Sequence, residues 1–172
     1  MGDADMDWSK MFTSRVVVFG CGNTLIGDDA VGPRVIELLE KDPDLPDDIA
    51  LLDVGTSIRS MLFDLINIDP KPQRIIIIDA TTAHGREPGE IFEIDVDHMD
   101  PKKTNDFSLH MFPTVNLLKE LTLNTAIEVK VVVIQTGYIP EVFDERMSPE
   151  VSAAVPHIAS RVKALCLEPA KS

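Results

Sequence analysis

Three stretches of the chain carry residues that could do chemistry. The first is Gly20-Cys21-Gly22-Asn23-Thr24-Leu25-Ile26-Gly27-Asp28-Asp29-Ala30-Val31-Gly32, a glycine-rich loop that runs into two adjacent acids. The second is Asp79, which closes the run Ile75-Ile76-Ile77-Ile78. The third is His110, within Asp106-Phe107-Ser108-Leu109-His110-Met111-Phe112-Pro113, an imidazole flanked by apolar residues just ahead of an expected helix. Carboxylates held side by side repel one another unless a cation or a shared proton relieves them. Asp29 brought alongside Asp79 therefore reads as a metal site, whereas Asp79 alone reads equally well as a loop or helix cap. His110 likewise reads either as a group projecting into a cleft or as a satisfied, partly buried histidine.

The glycine loop invites a dinucleotide-binding reading, but the spacing disagrees. After Gly20 and Gly22, the third glycine of a GxGxxG fingerprint should fall where Leu25 stands, and no Gly-Lys-Ser/Thr marks a P-loop. Two acids at a helix start also suit an anionic phosphate poorly, so a turn presenting carboxylates to a cation is the better expectation. Cys21 could pair with His110 as a thiolate nucleophile, yet a small apolar filler for a crowded turn is the simpler role. Cys166 is expected to be inert, and His84, His98 and His157 to be surface or packing residues. Ser57 and Ser108 lack the glycine pattern of a nucleophile elbow, so no serine triad is expected.

These residues need a scaffold, and the hydrophobic pattern supplies one. Arg15–Phe19, Ile49–Asp53, Arg74–Asp79, Ile91–Val96 and Glu128–Thr136 read as strands, the fourth as an edge. Helices are expected from Asp28 or Asp29 to about Lys41, over Ser57–Ile68, Pro113–Leu121 and Ser148–Leu165, with Pro156 bending the last. An uninterrupted run such as that of the four isoleucines belongs in a parallel sheet covered on both faces. The expected fold is α/β: a three-layer α/β/α sandwich around a mostly parallel sheet of about five strands. In such sheets ligands gather beyond the carboxyl ends of the strands, where the glycine loop, Asp53-Val54-Gly55-Thr56 and Asp79-Ala80 all fall. Residues 1–14 read as an N-terminal arm with Trp8 and Phe12 as docking points, and 15–168 as a single domain.

The 172 residues include 16 Lys and Arg against 29 Asp and Glu, a formal charge of −13. Such a field repels nucleic acid and anionic lipid and favours a metal cation or a protein with a basic patch. The N-terminus lacks the features of a signal peptide and no run is apolar enough to span a bilayer, so a cytoplasmic protein is expected. Two distant cysteines make no disulfide framework, and oligomeric state is not legible.

The ordered set formed by the glycine loop, Asp53-Val54-Gly55-Thr56, Ile78-Asp79-Ala80, Pro88-Gly89 and Ser108-Leu109-His110 resembles the hydrogenase maturation endopeptidases, whose opening motif is G-x-G-N-x-L-x-x-D-[DE]-x-x-G. The stretches Asp53–Arg59 and Asp106–His110 look most similar to the branch serving coenzyme F-420-reducing hydrogenases of methanogens. Ala30 stands where many members have glycine, and Asp29 where some have glutamate, one methylene longer. The resemblance implies an enzyme that removes the C-terminal extension of a nickel-containing hydrogenase large-subunit precursor. It also implies a site of Asp29, Asp79 and His110 that recognises nickel delivered with that precursor, with zinc or cadmium as substitutes. Either nickel acts as a Lewis acid or one of the aspartates takes the proton of the attacking water. Two other readings compete: a non-catalytic nickel-sensing chaperone and a nucleotide-binding α/β domain.

Overall fold

The computed structural model describes residues 7–98 and 115–170. It opens with a short helix α1 (Lys10–Thr13) and continues β1 (Val16–Cys21), a 3-10 turn (Gly27–Ala30), α2 (Val31–Leu39), β2 (Ile49–Gly55), α3 (Ile58–Asn67) and β3 (Arg74–Thr81). There follow β4 (Ile91–Ile94), α4 (Val115–Asn124), β5 (Glu128–Gln135) and α5 (Pro149–Leu167). The strands form one sheet in the order β2-β1-β3-β5-β4. The β1–β2, β1–β3 and β3–β5 pairs are parallel, and the edge strand β4 runs antiparallel to β5.

Every residue of β1 and of β3 is buried. That is what continuous Val and Ile runs require when both faces are covered. Successive side chains take opposite faces. Val17, Phe19, Ile75, Ile77, Val131 and Val133 thus pack with Ile58, Leu62 and Leu65 of α3 and Val115, Leu118 and Leu121 of α4. Val16, Val18, Ile76, Ile78, Val132 and Ile134 pack with α2 and α5. The sequence expectation of a three-layer sandwich holds, and the edge role of the fourth strand with it.

Differences lie at the ends of elements. The acids expected to start the second helix occupy the 3-10 turn instead, and α2 begins at Val31. Pro156 lies inside α5, which continues to Leu167. At the N-terminus Met11 is the buried residue, with Phe12 against the same core, while Trp8 is 42% exposed. Trp8, read with Phe12 as a docking point, precedes α1, and Met11 takes the buried side of that turn.

Arg74, 1% exposed, locks the end of the sheet away from the glycine loop. Its guanidinium pairs with Glu128 at 2.6 Å and donates to the carbonyls of Leu165, Glu168 and Pro169, closing the C-terminus of α5. Among the described residues no helix is long and apolar enough to cross a membrane.

Candidate active site

The strand order fixes where a site belongs. From β1 the chain moves outward to β2, crosses back to β3, and then proceeds the other way to β5. The reversal puts the topological switch point at the carboxyl ends of β1 and β3, the place where open α/β sheets take their ligands. Gly20 pairs with Ile78 there, so the glycine loop leaves one strand beside the point where Asp79 stands on the next.

Close packing makes the loop glycine-rich. A Cβ on Gly32 would overlap the backbone of Cys21, so only glycine lets α2 lie this close to the end of β1. Gly22 has φ +133°, and a Cβ there would collide with the Asp29 carbonyl. Most of the loop's backbone donors are engaged within the protein. Gly22 N–H donates to Gly55 O (2.9 Å), Asn23 N–H to Asp29 Oδ2 (2.8 Å), Leu25 N–H to Asn23 Oδ1 (2.9 Å), Ile26 N–H to Asn23 O (3.1 Å) and Asp29 N–H to Ile26 O (3.0 Å). A phosphate cradle needs such donors turned outward beside a helix N-terminus free of negative charge. This loop offers neither, which removes the physical basis of the nucleotide reading.

The two adjacent acids have separate jobs. Asp28 is fully buried and accepts four hydrogen bonds: from the N–H groups of Gly137 (2.7 Å), Tyr138 (2.7 Å) and Ser148 (2.6 Å), and from the Ser148 hydroxyl (2.8 Å). It fastens the 3-10 turn to the segment linking β5 to α5. Asp29, 2% exposed, faces back into the loop onto Asn23 N–H. Asp79, 0% exposed, accepts the N–H of Ala80 at 2.8 Å.

Asp29 and Asp79 converge on Cys21. Burial first, and then the charges of Asp79, Asp29 and Asp53 in that order, push its thiol far above the ordinary range. Carboxylates from β3, from the 3-10 turn after β1 and from β2 therefore act on one buried point. The sequence placed Asp53 at a strand end but gave it no part in this group; its side chain also accepts the N–H of Gly55 at 3.0 Å. The filler role of Cys21 follows from the same facts, since a thiol held protonated among carboxylates is no nucleophile. Cys166 is buried too, and burial pushes its thiol up to about 11. Neither cysteine should react with iodoacetamide at pH 8 in the folded protein, while both should label in denaturant. Cys21→Ala should fold with a stability loss of about 1 kcal/mol, read by urea unfolding; a loss several times larger would mean that the thiol does more than fill the turn.

His110 lies outside the described residues, as does Ser108. His84, His98 and His157 are exposed, and His98 meets Asp95 at 2.6 Å. Among the described residues no group of three or more His, Cys, Asp or Glu side chains is arranged to hold a metal, so a centre on Asp29 and Asp79 needs a further donor. The two buried carboxylates fit one end of such a centre: hard oxygen donors, preset by backbone hydrogen bonds, whose repulsion a divalent cation would relieve.

A model of the family described as hydrogenase maturation protease matches residues 33–164. The hydrogenase 2 maturation protease of Escherichia coli is 30% identical over 156 residues, spanning 90% of this chain and 92% of its own. The coenzyme F420 hydrogenase subunit delta of Methanothermobacter thermautotrophicus is 33% identical over 114 residues, 64% of this chain and 69% of that one. It is the kind of relative that the stretch Asp53–Arg59 suggests. Among solved structures, the hydrogenase maturating endopeptidase HybD from E. coli superposes with a TM-score of 0.66 at 30% identity, over 88% of this chain and 91% of that chain. With the sheet order, the glycine loop and the paired carboxylates already accounted for, these likenesses converge on one conclusion: the chain belongs to the hydrogenase maturation proteases.

Proposed function

We propose that this protease removes the C-terminal extension of a [NiFe] hydrogenase large-subunit precursor, and that it selects precursors already carrying nickel. The observation that carries the reading is the burial of Asp29, in the 3-10 turn that follows β1, and of Asp79, on the adjacent strand β3, with the charges of both bearing on the buried Cys21. Nickel enters as part of the substrate. Asp29 and Asp79 offer it carboxylate oxygens and His110 an imidazole nitrogen, a donor set that also accepts zinc or cadmium. Nickel held there supplies Lewis acidity toward the scissile carbonyl or an attacking water.

The chain's own residues do the rest. The internally satisfied loop holds Asp29 in place before any substrate arrives, so little ordering remains at the moment of binding. Asp79 is fixed by the Ala80 N–H and by a rigid central strand. A carboxylate not fully engaged by nickel can accept the proton of the attacking water.

The test is incubation with nickel-loaded and nickel-free precursor, followed by the intact mass of the large subunit. Only the loaded form should lose the mass of its tail. Equal trimming of both forms would remove nickel recognition from the reading. Binding of the loaded form without any mass change would make the protein a nickel-sensing chaperone instead.

A further inference from the structure

The segment from Gly137 to Arg146 plays no part in the carboxylate group, yet it is tied to it. Asp28 holds its start through the N–H groups of Gly137 and Tyr138. Further along, Gly27 N–H donates to Asp144 O (2.7 Å) and Asp144 N–H to Leu25 O (2.9 Å), which makes Ile26 and Asp144 a parallel bridge. The Asp144 carboxylate accepts the Tyr138 hydroxyl (2.8 Å) and the Arg146 guanidinium (2.6 Å) across the base of the loop. The Tyr138 hydroxyl, the Asp144 carboxylate and the Arg146 guanidinium pair at the base, while apolar side chains are left exposed. Val142 and Phe143 are each 76% exposed, Leu25 39% and Tyr138 38%. Phe143 and Leu25 precede the bridged pair, so they occupy neighbouring register positions.

A large aromatic left in water on a loop this well tied is not a packing residue. Rigid presentation lowers the ordering cost of binding, and exposed aromatics of this kind serve as anchors at protein interfaces. The loop's attachment runs through Ile26, Gly27 and Asp28, directly into Asp29. A partner seated on it is therefore held at a fixed distance from the carboxylates. The flanking Glu141 and Glu145 are exposed, so the surface asks for an apolar pocket with a basic rim.

We propose that Leu25, Tyr138, Val142 and Phe143 form the surface that docks the hydrogenase large-subunit precursor, on an apolar pocket of that protein edged by Lys or Arg. This rests on the reading of the chain as a precursor-cleaving protease and adds the site that sets the precursor's register. Docking positions the tail in front of Asp29 and Asp79, and Phe143 is a positioning residue rather than a catalytic one.

The experiment measures binding of nickel-loaded precursor to the full chain, together with the KM and kcat of tail removal. Val142→Ser/Phe143→Ser should weaken binding about 30-fold, as loss of an aromatic anchor does, with the loss carried by KM. Phe143→Leu should recover most of it, and raising salt should weaken the wild type more than a Glu141→Gln/Glu145→Gln variant. If the double serine variant misfolds, the single Phe143→Ser variant takes its place, with thermal melting as the folding control. An unchanged dissociation constant in a folded variant that still cleaves overturns the docking surface and leaves the protease reading standing. A wild type that neither binds nor cleaves precursor overturns both. A wild-type dimer that becomes a monomer on serine substitution, with precursor affinity unchanged, assigns the surface to a second copy of the chain and overturns the proposal.

Discussion

On the proposed function, Asp79→Asn should slow removal of the precursor tail by a factor on the order of 10²–10³, in a protein whose Tm equals or exceeds that of the wild type. The size follows from the chemistry: a preset charged group at a reaction centre typically carries two to three powers of ten by itself. The fold survives because asparagine has the same shape. Its carbonyl oxygen can still accept the Ala80 N–H that Asp79 Oδ1 accepts at 2.8 Å. What disappears is a negative charge in the fully buried neighbourhood of Asp29 and Cys21, where like charges destabilise each other. Asp29→Asn should behave likewise, and the double variant should be little worse than either single one, since groups acting on one ion fail together. Intact-mass kinetics on nickel-loaded precursor provide the measurement, with melting curves for the fold. Tail removal within tenfold of wild type in both single variants would end the case for this pair.

How much of this was legible in the sequence depends on how local each feature is. Arg74–Asp79 announces a central strand because four isoleucines in a row fit only a strand covered on both faces, and all eight residues of β3 are in fact buried. The strand order is another matter, since it follows from handed crossovers rather than from any residue. Asp79 could be placed at a strand end but not beside Cys21 until β1 and β3 became neighbours. The glycine spacing excluded a nucleotide fingerprint by count alone, and the hydrogen bonds within Gly22–Asp29 supply the reason. The division of labour between Asp28 and Asp29 was not legible at all. Both are acids at the start of a helix, and only partners more than a hundred residues away, at Gly137, Tyr138 and Ser148, tell them apart. His110 was selected by its neighbours in the sequence and stays a proposal on that ground.

That division leads to a second large effect, on stability rather than turnover. Asp28→Ala should destabilise the protein by about 3 kcal/mol, the cost of leaving the buried Ser148 donors unpaired and losing the two part-buried hydrogen bonds. Three backbone N–H groups and one hydroxyl converge on this carboxylate at 2.6–2.8 Å, and the two donors of Ser148 are buried. Asp28→Asn is nearly as harmful, because it exchanges an acceptor oxygen for an NH₂ that faces donors. For a chain of this size the Tm should fall by roughly 10 °C. The contrast with Asp29→Asn is the informative part. One aspartate of the adjacent pair fails in the melting curve, the other in the cleavage assay, although a single peptide bond separates them. Urea unfolding measures the first directly. An Asp28→Ala protein that loses less than about 1 kcal/mol, no more than an ordinary surface substitution, would mean that the segment after β5 is held by other contacts. The tie between that segment and Asp29 would then lose its central strut.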